Sequence, residues 1–151
     1  ASYEPTGSGT NSATGFGVTY TGIEGLSVSY ASGDDSTVAA ADATVLKGSY
    51  AYGPVTVAYS DYNYDTAATA NDDDMTAYKV TYTVSDELSI AYASEDIDTG
   101  TKSADYNEVS VAYTTGGMTI SASMGEANNR DGTTTATMDN ERWALGASFA
   151  F

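Results

Sequence analysis

The C-terminal stretch 142–151 alternates strictly between two kinds of side chain. Every second residue is apolar, from Trp143 and Leu145 to Phe149 and Phe151, and the residues between them are small or polar. A period of two over this length predicts a β-strand with one apolar face and one polar face. About ten tilted strand residues are also the length that crosses the hydrocarbon layer of a bilayer.

The same alternation recurs along the whole chain. Phe16–Tyr20 and Leu26–Tyr30, for example, alternate in this way and are joined by a short turn. Short turns and longer polar segments then follow each other in turn, as they do in a transmembrane barrel with one rim of tight turns and one of long loops. We therefore predict an all-β fold, an antiparallel transmembrane β-barrel. The strands are predicted near 14–21, 26–32, 44–52, 55–64, 77–83, 88–94, 106–114, 118–125 and 141–151.

Composition excludes several classes of function. The chain has no Cys and no His, which removes disulfides, thiolate and imidazole metal sites, and Cys- or His-based catalysis. The net charge of −16 makes nucleic acid an unsuitable partner. No base, nucleophile and metal set converges within the predicted strands, so we do not expect an enzyme.

The acidic residues are concentrated in the long segments. Most of the 21 acids lie there or at their rims, and apart from those rims Glu108 is the only one inside a predicted strand. A negative mouth of this kind should concentrate cations. We expect no cofactor; weak Ca²⁺ or Mg²⁺ binding at Asp72, Asp73 and Asp74 is the metal candidate, with plain solvated loops as the alternative.

If the large apolar side chains face lipid, the intervening residues face a lumen. Small hydroxyl side chains dominate that face, and they are too small to fill a closed barrel, which indicates a water-filled channel. Four charges interrupt it: Lys47, Lys79, Glu108 and Arg142. We predict that they line the pore; the alternative is that they are solvated rim charges without selectivity.

Tyrosine recurs just before the short turns, at Tyr20, Tyr52, Tyr82 and Tyr113. A tyrosine keeps its ring in an apolar zone and its hydroxyl in water, so this register predicts an interfacial aromatic girdle. The strand propensity of Tyr explains its abundance but not its position.

The last strand resembles the C-terminal strand of bacterial outer-membrane β-barrels. Gly146, Phe149 and Phe151 occupy the glycine and aromatic positions of that motif, while Ala144 stands where a polar residue is usual. The resemblance implies that these three matching residues form the C-terminal signal for barrel assembly. The whole pattern resembles the general (diffusion) porins of Gram-negative bacteria. The resemblance implies an outer-membrane protein that passes small hydrophilic solutes, forms a homotrimer, contacts lipid and lipopolysaccharide, and is inserted by the outer-membrane assembly machinery. The alternatives are a structural or adhesive outer-membrane barrel and a soluble secreted β-rich surface protein.

The beginning of the chain predicts an incomplete barrel. Ala1–Tyr3 reads as the end of a further strand, which gives nine strands and a stub. Bacterial barrels close with an even number of strands. We therefore expect residues 1–151 to be a single portion, the C-terminal part of a 16-stranded porin whose constriction loop lies in the missing part. A barrel nicked in a loop and a ten-stranded barrel are the alternatives.

Overall fold

The described residues of the computed structural model are 2–5, 12–35, 41–66, 72–100, 102–129 and 140–150. They form one ten-stranded antiparallel sheet in which neighbouring strands follow chain order. This confirms the predicted antiparallel all-β fold. No helix in the described part is long and apolar enough to cross a membrane. The strands are β1 (Ser2–Pro5), β2 (Ser12–Tyr20), β3 (Leu26–Asp35), β4 (Ala41–Tyr52), β5 (Val55–Asp65), β6 (Asp73–Thr83), β7 (Leu88–Asp98), β8 (Ser103–Thr115), β9 (Met118–Asn128) and β10 (Asn140–Phe149).

Glycines with positive φ lie in three of the four short turns that the structure describes. Gly116 and Gly117 have φ values of 54° and 81° and join β8 to β9, whose flanking residues Thr115 and Met118 are directly paired. Two residues with positive φ suit the right-handed twist of a hairpin. Gly25, before β3, has φ 77°, and its carbonyl accepts a hydrogen bond of 2.8 Å from the Ala51 amide of β4. These turns fix the register at one rim of the sheet.

The strands extend further into the long segments than we predicted. β6 begins at Asp73 and β7 ends at Asp98, four residues beyond the predicted limits in each case. The prediction that Glu108 is the only acid inside a strand is therefore wrong, since Asp74 and Glu95 also lie within strands. The period of two continues through these ends, but the apolar side chains change face there.

The sheet is a single open layer. Within the described residues, β1 pairs only with β2 and β10 pairs only with β9, so the ten-stranded closed alternative is not formed. Only Ala41, at 2% exposure, and Ser94, at 9%, are buried among the described side chains. A soluble domain buries an apolar face against a second layer. Here the large apolar side chains stay exposed, which calls for an apolar medium around them.

Candidate functional site

One face of the sheet lines a cavity of about 1120 Å³. Residues of eight consecutive strands contribute, and the charged and aromatic ones that alternate to this face are Lys47, Lys79, Glu95, Tyr106, Glu108 and Arg142. We call this face, which carries Lys79 and Glu108, the inner face. The outer face is the opposite one, which carries Val80 and Val109.

Three of the predicted pore-lining charges lie in one row across the sheet. Lys79 is directly opposite Ala93, Ala93 is opposite Glu108, Glu108 is opposite Gly125, and Gly125 is opposite Arg142. We call these five residues the charged row. The charge in this row changes sign from β6 to β8 and again from β8 to β10. The Cα atoms of successive charged residues are about 10 Å apart. Within the described part of the chain no ion pair involves Lys79, Glu108 or Arg142.

The two spacer residues of the charged row leave its charges accessible. Ala93 and Gly125 carry the two smallest side chains available. A Cβ on Gly125 would lie 3.6 Å from the Glu108 Cβ, 3.7 Å from its Cγ and 3.0 Å from the Asn107 carbonyl oxygen. An added Cβ at Gly125 would thus make ordinary contact with the Glu108 side chain and a tight approach only to the Asn107 carbonyl oxygen.

Lys47 lies one row nearer to the long loops. It is directly opposite Ser60 of β5, and the same row continues through Ala77 to Glu95 and Tyr106. Glu95 was not among the predicted pore-lining residues, because the sequence pattern placed it in a polar connection. The sequence signal for Glu95 was that it lies two residues after Ala93 and so continues the alternation of the strand. The inner face thus has two bases on β4 and β6, three acids on β6, β7 and β8 (Asp73, Glu95 and Glu108), and a base on β10.

Toward the short turns the inner face carries small side chains. Three inner-face rows lie beyond the charged row, the first crossing β4–β10, the second β6–β10 and the third β8–β10, and their residues are alanine, serine, threonine or glycine. Gly146, part of the predicted C-terminal signal, belongs to this set and lies opposite Ser121. The other members on β8, β9 and β10 include Ser110, Ala112, Ser123, Ala144 and Ser148.

The outer face carries continuous apolar rows. One of them crosses seven strands without a polar side chain: Tyr52, Val55, Tyr82, Ile90, Val111, Ala122 and Leu145. The predicted girdle residues Tyr20, Tyr52, Tyr82 and Tyr113 all lie on this face and are exposed, as is Phe149. The Tyr113 hydroxyl donates a hydrogen bond of 3.2 Å to Glu87 in the short turn. Phe151 lies outside the described residues.

At the long-loop end the two faces exchange character. Val45 and Tyr62 are directly opposite each other on the inner face, whereas Asp61 is on the outer face. The Asp61 carboxylate accepts hydrogen bonds from the Tyr59 hydroxyl at 3.1 Å and the Asn63 amide at 2.7 Å. The apolar band of the outer face therefore has a polar edge on the long-loop side.

The outer-face carboxyls beyond this edge repel one another. A hydrogen bond with Asp34, followed by desolvation, raises the pKa of Asp42 above its ordinary value. Asp105 has its pKa raised mainly by its hydrogen bond with Asp96. Desolvation, followed by the neighbouring carboxylates, raises the pKa of Asp74. These strand ends therefore hold a concentrated negative charge.

The metal candidates do not converge. Asp73 and Asp74 point to opposite faces of β6, and the Asp72 Oδ1 atom accepts a hydrogen bond of 2.7 Å from the Thr66 amide. Across the ranges that the structure describes, no group of three or more Asp, Glu, His or Cys side chains is arranged to hold a metal ion.

A single antiparallel layer with an apolar outer face and a charged inner face defines the wall of a membrane-type β-barrel. The chain belongs to the Gram-negative porin family, whose model matches residues 1–114. That match ends within β8, so it does not include the C-terminal strand whose Gly146 and Phe149 carried the resemblance in the sequence. No curated protein matches the chain.

Proposed function

We propose that the inner face lines a water-filled channel through which small hydrophilic solutes and ions diffuse across the outer membrane. Gram-negative porins are in general outer-membrane channels for passive diffusion. The observation that carries the proposal for this chain is the charged row, with its unpaired charges above a wall of small side chains.

The charged row indicates a water-filled lumen because ionised side chains need hydration. An ionised side chain away from water costs several kcal/mol unless a partner compensates it. Lys79, Glu108 and Arg142 have no ion-pair partner among the described residues, and their neighbours Ala93 and Gly125 are too small to cover them. Water is the medium that solvates such charges, so we assign the inner face to an aqueous lumen.

The outer face supports a tilted membrane orientation. Tyr20 of β2 shares a row with Glu141 of β10, whereas the matching aromatic Phe149 lies eight residues further along β10. Eight residues over eight strands is a displacement of one residue per strand. With about 3.3 Å per residue and about 4.8 Å per strand, the strands tilt by roughly 35°. Transmembrane barrels tilt their strands by about 35–45°.

We further propose a cation preference that arises at the mouth. The described inner-face charges cancel, since the three bases of this face are balanced by the three acids Asp73, Glu95 and Glu108. The cation preference then comes from the acids of the outer face and the loops, which act on the permeating ions at a distance. Salt at 0.1 M screens such interactions over a length of about 10 Å. Reversal potentials in KCl gradients should show cation selectivity that declines as salt rises; anion selectivity at low salt would contradict the proposal.

The position of Lys79 gives a sharper test. Lys79→Glu places an acid on the inner face, and Lys102→Glu makes the same change of net charge at the exposed start of the β8 region. We expect Lys79→Glu to raise the K⁺-to-Cl⁻ permeability ratio clearly more than Lys102→Glu does in planar bilayers. Equal shifts in both variants would show that Lys79 is not in the conduction path.

The remaining expectations stay predictions. A homotrimer, contact with lipopolysaccharide and recognition by the outer-membrane assembly machinery rest on the family resemblance, and weak Ca²⁺ or Mg²⁺ binding rests on the acidic segments of the sequence. Electrophoresis of the native porin with and without heating tests the first of these, since a trimer migrates at about three times the denatured mass.

A further inference from the structure

We propose that the charged row binds zwitterionic solutes with well-separated charges, such as peptides of two or three residues, as they pass through the channel. The inference rests on the proposed channel function and names a solute class for the same face. A peptide ammonium group would contact Glu108, and its carboxylate would contact Lys79 on one side or Arg142 on the other.

The spacing of the charges carries the inference. Glu108 lies two strands from Lys79 and two strands from Arg142, about 10 Å in each direction. An extended peptide spans about 3.3–3.6 Å per residue, so the termini of a dipeptide or tripeptide are separated by about 7–10 Å. A simple ion reaches one of these charges at a time, whereas a short peptide reaches two of opposite sign.

The charges are also available to a solute. Within the described residues they make no ion pairs with each other or with their neighbours, and Ala93 and Gly125 leave the space between them open. Lys79, Glu108 and Arg142 all line the same cavity. Pairs of opposite charge on one wall, held apart by small residues, are complementary to a dipolar solute and not to a net anion or cation.

The experiment compares two probes in the native porin, purified from outer membranes and reconstituted in planar bilayers. Triglycine is the zwitterion, and its N-acetylated, C-amidated form is the neutral solute of nearly the same size. The measured quantity is the concentration of each probe that halves the KCl current. We expect triglycine to act at a concentration lower by a factor on the order of three to ten, because two hydrated charge contacts are each worth little.

Variants separate the paired charges from net charge. Glu108→Gln removes the acid that both pairs share and should abolish the difference between the probes. Asp98→Asn, on the exposed outer face of β7, removes an equal charge and should preserve it. The double variant K79E/E108K keeps the net charge and an opposite pair at the same spacing, and should also preserve it.

The inference is overturned if triglycine and its blocked form act equally on the native porin. It is equally overturned if Glu108→Gln keeps the difference, or if K79E/E108K loses it while retaining heat-modifiable mobility and KCl conductance. In those cases the KCl conductance itself still supports the channel. A native porin without KCl conductance would instead refute the proposed function.

Discussion

Placing one lysine on either face of β8 tests the face assignment most sharply. Val111 and Ser110 are adjacent, and they point to the outer and inner face respectively. Val111 lies in the middle of the apolar band, between Val109 and Tyr113, and is 37% exposed. If the outer face contacts lipid, Val111→Lys puts a charge near the centre of the bilayer, whereas Ser110→Lys puts it in the aqueous lumen.

The expected cost follows from the position of the charge. A lysine at the bilayer midplane of a barrel destabilises it by about 2–4 kcal/mol. At about 1.4 kcal/mol per tenfold change, that lowers the folding equilibrium constant by a factor of roughly 30 to several hundred. The same side chain at Ser110 keeps its hydration and should cost less than about 1 kcal/mol.

Denaturant unfolding from lipid vesicles measures both variants. Trp143, the only tryptophan of the chain, provides the fluorescence signal without further labelling. Each variant is compared with the unmodified protein at equal protein-to-lipid ratio. Equal destabilisation by Val111→Lys and Ser110→Lys, or tolerance of Val111→Lys, would refute the assignment of the outer face to lipid.

Two further predictions concern the turns and the mouth. Gly25→Ala should destabilise the protein by more than about 2 kcal/mol in the same unfolding assay, because its φ is 77° and an added Cβ would clash with the Ala51 carbonyl oxygen. Gly53→Ala is the control, with a positive φ but no atom within 4 Å of the added Cβ; equal costs would refute the clash. The raised pKa of Asp42 beside Asp34 means that the folded state favours the protonated carboxyl, so these strand ends gain stability as pH falls through the folded pKa. As pH is lowered, cation selectivity should begin to fall at a pH above the ordinary pKa range of carboxyl groups. A fall in cation selectivity confined to that ordinary pKa range would contradict the interaction between Asp34 and Asp42.

The faces of the strands were predictable from sequence because a period of two is visible without a partner. Lys79, Glu108 and Arg142 each stand within a run of alternating residues, and the structure places all three on the inner face. Their alignment in one row was not predictable. Register across a sheet depends on how each pair of strands is joined, and the long connections give no local signal for it.

Glu95 shows where the pattern misled. The predicted strands ended where the apolar side chains stopped facing outward, so the end of β7 was read as a loop. In the structure the period continues, with Ile97 on the inner face and Asp96 on the outer face. Where the apolar band ends, apolar side chains lie on the inner face and polar side chains on the outer face. A prediction that follows a single apolar face therefore ends the strand at this point. This is why Glu95 was missed.

The central claim is that the outer face contacts lipid, and Trp143 tests it directly. This side chain is 79% exposed and lies on the outer face of β10, in the row of Val109 and Met124. The measurement is its fluorescence in vesicles of brominated phospholipid, and separately with iodide in the aqueous phase. We predict strong quenching by the brominated acyl chains and little by iodide. Strong quenching by iodide, with none by the brominated chains, would contradict a membrane-facing sheet.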